Sequence, residues 1–302
     1  MNRVLVESFL AIVEMQSLTK AAEKLYITQS AISNRLIALE NTLGVQLVQR
    51  EQGKRQITLT QKGLDFIPIA MRLTSLEKEI DSWVSSDSYL SLKIGAVDSL
   101  NSYVLPPLYK NVTSNEPLCL NISSHWTSTL YTLLESHEID FGITTRLYKS
   151  ETLIGQPIFQ EKMVMVSNTN SSRYRELVHP SDLDVEKELL LDWGPDYQLW
   201  HDKWWSPNSR INLRLDTSAL IFSCLDVEDS WAVVPESVAH HFQRIYSIKI
   251  SQLDSPPPNR ISYKILNRYP SSNRLEAIRI FETALDEFLQ NHPYLIQIKQ
   301  DK

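Results

Sequence analysis

The first sixty residues constrain the fold most, because three short amphipathic blocks are each fenced by residues that start or stop a helix. Leu5, Phe9, Ile12 and Val13 share one face of a helix over residues 4–14. Ser17 or Thr19 can cap a second helix over 20–25, where Ala21 and Ala22 allow a crossing helix to approach closely. Thr28 stands at an N-cap before a third helix over 29–43, and Gly44 can close it. Three short helices with tight turns predict a helix-turn-helix. The third helix turns Ile32, Leu36, Leu39 and Leu43 toward a core. At about 100° per residue, Ser30, Ser33, Asn34 and Ile37 fall on the far side. That face suits base edges and thymine methyls, although a merely solvated face has the same composition. Gln29 and Arg35 flank it, within reach of bases or phosphates.

Beyond Gly44, residues 45–50 and 56–59 read as two short strands around a polar turn at 51–55, which makes a wing. Lys54 and Arg55 at its tip suit phosphate or minor-groove contact, and a basic tip is also common on plain solvated hairpins. The net charge of −6 argues against nucleic acid until its distribution is read. The first 76 residues carry 9 Lys+Arg against 6 Asp+Glu, and the remaining 226 carry 21 against 30, so a net of +3 faces a net of −9. A mildly basic head is joined to an acidic body.

Ser17-Leu18-Thr19-Lys20-Ala21-Ala22-Glu23-Lys24-Leu25, Thr28-Gln29-Ser30-Ala31-Ile32-Ser33, Leu39-Glu40, Leu43-Gly44, Leu47, Arg50 and Leu59-Thr60-Gln61-Lys62-Gly63 resemble the LysR family signature, densely and nearly without gaps. Ser30 departs from it where many members carry proline. The resemblance implies a bacterial transcription regulator that binds double-stranded DNA through a winged helix-turn-helix over 1–59. Its DNA contacts are expected from Thr28, Gln29, Ser30, Ser33, Asn34, Arg35, Ile37, Arg50, Lys54 and Arg55. It also implies a homodimer, or a homotetramer built from dimers, joined by a linker helix.

A long helix over about 60–85 carries Leu64, Ile67, Met71, Leu73, Leu76, Ile80 and Trp83, an apolar stripe wider than one helix shelters alone. Pro68 is expected to bend it, and docking within one chain is the other way to cover the stripe. Polar residues 85–88 end this linker. Beyond them, strands and helices alternate, predicting an α/β architecture with largely parallel sheets. Strands are expected at 90–97, 118–122, 140–144, 188–191, 213–215 and 231–234, and helices near 103–112 and 129–136 and from about 195, 217 and 236. Residues 163–166 and 261–266 are the candidate crossings between two lobes, and a helix over 273–289 returns to the first. The family resemblance implies a two-lobed effector domain like a periplasmic binding protein over 89–302, lobe one being 89–163 with 267–302 and lobe two 164–266.

Ligands of such sheets lie beyond the C-terminal strand ends, near helix N-termini. That rule selects Asp98, Ser99, Leu100, Asn101, Thr144, Thr145, Asp192, Trp193, Gly194, Thr217 and Ser218, hydroxyls and amides suited to a small polar or anionic effector. Simple helix capping explains Ser99, Thr217 and Ser218 individually; recurrence at equivalent strand ends points to a site. Catalytic signatures are absent: there is no His-Glu-x-x-His, no Gly-x-Ser-x-Gly and no glycine-rich phosphate loop, with 7 glycines in all. His240 and His241 are adjacent and point to different faces, and the other histidines lack metal-ligand spacing. No enzyme, cofactor or metal is expected. Cys119 and Cys224 read as two buried thiols, with a redox pair as the alternative. No leader or membrane span is evident, so a cytoplasmic location is expected.

Overall fold

The computed structural model describes residues 2–49, 57–84, 90–169, 173–270 and 274–298. The chain divides into one unit of residues 1–88 with 132–138 and a second of 89–131 with 139–302.

In the first unit, α1 (Arg3–Met15), α2 (Leu18–Lys24) and α3 (Gln29–Leu43) begin at Asn2, Ser17 and Thr28. Each side chain accepts a hydrogen bond from a backbone N–H of its helix's first turn. The three helices close on Phe9, Ile12, Ala21, Ala22, Ile32, Leu36 and Leu39. Strands β1 (Val48–Gln49) and β2 (Thr58–Leu59) pair antiparallel, with Val48 opposite Leu59. Helix α4 (Gln61–Val84) then starts at Thr60, whose hydroxyl accepts from Gly63 N at 3.0 Å and donates to Gln46 O at 2.7 Å. Gly63 is obligatory there, since a Cβ would lie 2.1 Å from the Leu47 carbonyl oxygen.

The apolar residues of α4 divide in two. Phe66 and Ala70 are buried in the helix-turn-helix core, and Phe66 meets Phe9 with centroids 5.3 Å apart. Leu64, Ile69, Leu76 and Ile80 stay exposed. Among the described residues no helix is long and apolar enough to cross a membrane.

The second unit is built on two sheets. Strands β3 (Leu90–Ala96), β4 (Leu118–Ser124), β5 (Phe141–Thr144) and β6 (Leu153–Glu161) begin the first. Helices α5 (Asp98–Tyr103), α6 (Pro106–Asn115) and α7 (Thr127–Glu135) follow β3 and β4. The one helix expected over 103–112 is therefore two, because Pro106 and Pro107 cannot continue α5 but suit the first turn of α6. Strands β7 (Met163–Asn168), β8 (Leu177–Val178), β9 (Leu189–Leu191), β10 (Leu213–Leu215), β11 (Trp231–Pro235) and β12 (Ile248–Leu253) make the second lobe, with helices α8 (Pro195–Trp204), α9 (Ser218–Cys224) and α10 (Glu236–Gln243). The chain then returns through β13 (Arg260–Asn267), α11 (Leu275–Asn291) and β14 (Ile296–Gln297).

The first sheet runs β14-β6-β13-β5-β3-β4 and the second β11-β7-β12-β8. The parallel pair β10-β9 approaches the latter through a bridge from Glu188 to Trp231. Pairing is mixed rather than largely parallel: β3 is parallel to β4 and β5, whereas β13 is antiparallel to β5 and β6, and β7 is antiparallel to β11 and β12. Central β7 is buried on both faces, Val164 and Val166 toward one cluster and Met163 and Met165 toward another.

The expected lobe boundaries move. The chain leaves the first sheet at Glu161 and enters the second at Met163, so the crossing is Lys162. It returns between Leu253 and Arg260, through Pro256, Pro257 and Pro258. Residues 260–266, assigned from sequence to lobe two, belong to the first sheet because β13 pairs along its whole length with β6. The thiols also differ from expectation: both are free, Cys119 exposed on edge strand β4 and Cys224 half-buried.

Candidate functional site

On the first unit the candidate surface is the outer face of α3. Ile32, Leu36 and Leu39 are buried, which leaves Thr28, Gln29, Ser30 and Asn34 exposed and Ser33 and Ile37 half-buried. Arg35 is half-buried and turns toward α1, its Nη1 3.4 Å from Ser8 Oγ, so its guanidinium is directed away from that face. Thr28 fixes the start of the face by accepting from Ala31 N at 3.2 Å. Gly44 ends it at φ +69. Glu40 ties the helix to the wing, Oε1 accepting from Leu47 N at 2.8 Å and Val48 N at 3.2 Å. Arg50, Lys54 and Arg55, the expected wing contacts, lie outside the described residues.

In the second unit a cavity of about 680 Å³ lies between the lobes at the strand ends. Asp98, Ser99, Thr145, Asp192, Trp193, Thr217 and Ser218 of the expected set line it. Leu100, Asn101 and Thr144 do not. Leu100 faces the core of the first lobe, and Asn101 is spent on Ser123 O and Ser124 Oγ while accepting from Tyr109 Oη. Thr144 is fully buried, its hydroxyl 2.7 Å from that of Thr127. Gly194 lines a small adjoining cavity of about 50 Å³.

Several lining residues were missed. Ser124 ends β4 and residues 125–128 follow it, and the strand-end rule would have found them had that strand been carried to Ser124 rather than stopped at Ile122. Arg146 and Tyr148 follow β5. Arg260 comes from the start of β13, with no local sequence signal.

Arg260 holds the floor of the cleft. Its Nε and Nη2 lie 3.2 Å and 2.6 Å from Glu161 Oε1, its Nη1 donates to Ser99 Oγ at 2.8 Å, and its guanidinium carbon lies 5.2 Å from the Trp193 ring centroid. Glu161 Oε2 accepts from the backbone N–H and hydroxyl of Ser237, so this ion pair joins both lobes at the crossing. Trp193 is anchored in turn by Nε1 donating to Val233 O at 2.7 Å. Tyr103 of α5 packs on His241 and Phe242 of α10, and burial, Asp98 and Tyr246 raise its phenol above the usual range. Helices α5, α7 and α9 begin at Asp98, Thr127 and Ser218, which line the cavity, and α8 begins at Pro195 beside the small adjoining one, so helix N-termini border the cleft. Hydroxyls, two guanidinia and aromatic walls provide for binding a small polar molecule.

In the turn before β11, Asp229 is a left-handed residue, with φ +57. Its carboxylate reaches Arg173 at 3.5 Å and its carbonyl accepts from Tyr174 Oη at 2.6 Å, ties that hold a non-glycine residue there.

Residues 4–64 match the bacterial regulatory helix-turn-helix domain of the LysR family, and residues 90–290 match the LysR substrate binding domain. The HTH-type transcriptional regulator HdfR of Yersinia pestis (strain Pestoides F) is 27% identical over 273 residues, covering 88% of this chain and 90% of that one. The fold is similar to that of a full-length OxyR variant from Pseudomonas aeruginosa, with TM-score 0.67 and 19% identity over 100% of this chain and 99% of that one. It is similar as well to full-length CbnR in complex with target DNA, with TM-score 0.68 and 20% identity over 95% of this chain and 100% of that one. Because the two domain matches together span most of its length, the chain belongs to the LysR family of bacterial DNA-binding transcription regulators, proteins that join a helix-turn-helix to an effector-binding domain rather than enzymes.

Proposed function

We propose that α3 reads the major groove with Gln29, Ser30, Ser33, Asn34 and Ile37, with Thr28 at its capped end meeting the backbone. The observation that carries this is the division of α3: Ile32, Leu36 and Leu39 are buried in the core, and the other side leaves Gln29, Ser30 and Asn34 exposed with Ser33 and Ile37 half-buried. Arg50, Lys54 and Arg55 of the wing supply phosphate contacts. Arg35 contributes to this surface by swinging away from Ser8 when phosphate is near. Two chains associate through the exposed side of α4 on which Ile69, Leu76 and Ile80 cluster, and two dimers can form a tetramer. Dyad-related half-sites in the operator follow from that symmetry.

The cleft of the second unit binds a small polar or anionic effector through Ser99, Thr145, Arg146, Trp193, Thr217 and Ser218, with Asp98 at its edge. The effector alters DNA binding by favouring one lobe arrangement over another. The regulator works in the cytoplasm, where both operator and metabolite are found.

The test is a gel-shift titration of the full-length protein on its own promoter region and on unrelated DNA of equal length, at two salt concentrations. Specific, salt-sensitive binding that a Ser33→Ala, Asn34→Ala double variant loses is the expected result. Unchanged binding by that variant rules out α3 as the reading element.

A further inference from the structure

We propose that Arg146 and the backbone N–H of Gly194 form the anion-recognition point of the cleft, that Asp192 fills it when no ligand is bound, and that the effector is a small carboxylate with a flat apolar body that takes its place. This rests on reading the cleft as the effector site.

Arg146 follows β5 in the first lobe, and Asp192 follows β9 in the second. Arg146 Nη2 lies 3.2 Å from Oδ1 and 3.1 Å from Oδ2 of Asp192, and Gly194 N donates to the same Oδ1 at 2.7 Å. One carboxylate is thus held by a guanidinium from one lobe and an amide from the other, the arrangement a ligand carboxylate requires. Gly194 makes it possible. Its φ of +120 disfavours any side chain, and a Cβ would come within 3.3 Å of Arg146 Nε, so the guanidinium lies against bare backbone.

The other guanidinium in the cavity is not available in this way, since Arg260 is committed to buried Glu161 and to Ser99. The Arg146–Asp192 pair, by contrast, is open to solvent, with the two side chains 34% and 67% exposed. Exposed pairs of this kind are weak, so exchanging Asp192 for a ligand carboxylate lowers affinity by about two- to five-fold and no more. A second observation points to a ligand in the same cavity. The Ser218 hydroxyl lines it, is buried, and has no hydrogen-bond partner among the described residues, although buried hydroxyls are normally satisfied. The exposed rings of Trp126 and Tyr148 line this space together with Trp193 and provide apolar surface for a flat body.

The experiment is isothermal titration of the full-length protein with phenylacetate, with its neutral amide phenylacetamide, and with acetate, which lacks the flat body. Phenylacetate should bind at least about tenfold more tightly than either of the others. Asp192→Asn should strengthen phenylacetate binding about two- to five-fold by removing the internal competitor, and Arg146→Met should abolish it. If Arg146→Met fails to fold, Arg146→Lys replaces it, and the loss of the guanidinium fork should still weaken binding. Equal or weaker binding by Asp192→Asn overturns the exchange, and equal binding of the amide overturns the anion point. If none of the three binds, the carboxylate class is overturned. The effector-site reading falls with it only when a wider metabolite screen also fails to stabilise the native protein; a hit that Trp193→Ala removes leaves that reading standing.

Discussion

Arg260→Met should destabilise the second unit far more than the loss of one surface charge would. Glu161 is fully buried and Arg260 nearly so, and the two guanidinium contacts at 3.2 Å and 2.6 Å fall on one carboxylate oxygen. Methionine fills part of the space but leaves that carboxylate with the neutral donors of Ser237 alone opposite it. Breaking a buried pair from one side costs about 3–5 kcal/mol. For a unit of this size each kcal/mol moves the melting midpoint by roughly 2–4 °C, so a fall of about 6–20 °C is expected. Thermal denaturation followed by tryptophan fluorescence reports on the right region, because six of the seven tryptophans lie beyond residue 90. The companion variant, Glu161→Met with Arg260→Met, removes both charges and should recover most of the loss, since a buried ion pair is commonly replaceable by apolar groups of similar volume. A cost below about 1 kcal/mol for Arg260→Met, or a double variant no more stable than the single one, would refute this account of the crossing.

Gly63→Ala places a Cβ against the Leu47 backbone oxygen, where no side-chain rotation relieves the clash, so the first unit should lose about 3 kcal/mol or more and DNA binding with it; circular dichroism melting and a gel shift check this. Thr28→Ala removes the N-cap of α3 and should cost about 1 kcal/mol in chemical denaturation, an unchanged midpoint arguing that the cap is idle. Burial holds His241 and His292 below the usual imidazole range, with Arg244 lowering both and Glu161 opposing it at His292. The unfolded chain therefore takes up protons first. Stability contributed by the neutral imidazoles is complete above about pH 6.5 and declines as the pH falls through the lower folded values. A His241→Gln, His292→Gln variant should show a flatter dependence of melting temperature between about pH 6.5 and 5, and an unaltered slope would contradict the assignment.

The first sixty residues were legible because their information is local. Thr28, Gly44 and the spacing of Ile32, Leu36 and Leu39 act within a few residues, so helix limits and the core face of α3 follow from capping and periodicity. The direction of Arg35 was not legible, since it depends on Ser8 of a different helix. In the second unit the strand-end rule located Ser99, Thr145, Trp193, Thr217 and Ser218, but placed Leu100, Asn101 and Thr144 in the site although they pack inward. A strand end specifies a neighbourhood, and the rotation of the following helix decides which side chains enter the cavity.

What the sequence by itself determined was the helix-turn-helix, the long helix that follows it, the alternation of strands and helices beyond and the family. All of these rest on patterns a few residues long or on a contiguous signature. Only the tertiary structure decided that β13 belongs to the first sheet, that Glu161 and Arg260 meet at the crossing, and that Arg146 reaches Asp192 from the opposite lobe. Each of these joins residues from 46 to 125 positions apart. An apolar strand pattern is compatible with either sheet, and a charged side chain carries no mark of its partner until the backbone brings the two within reach.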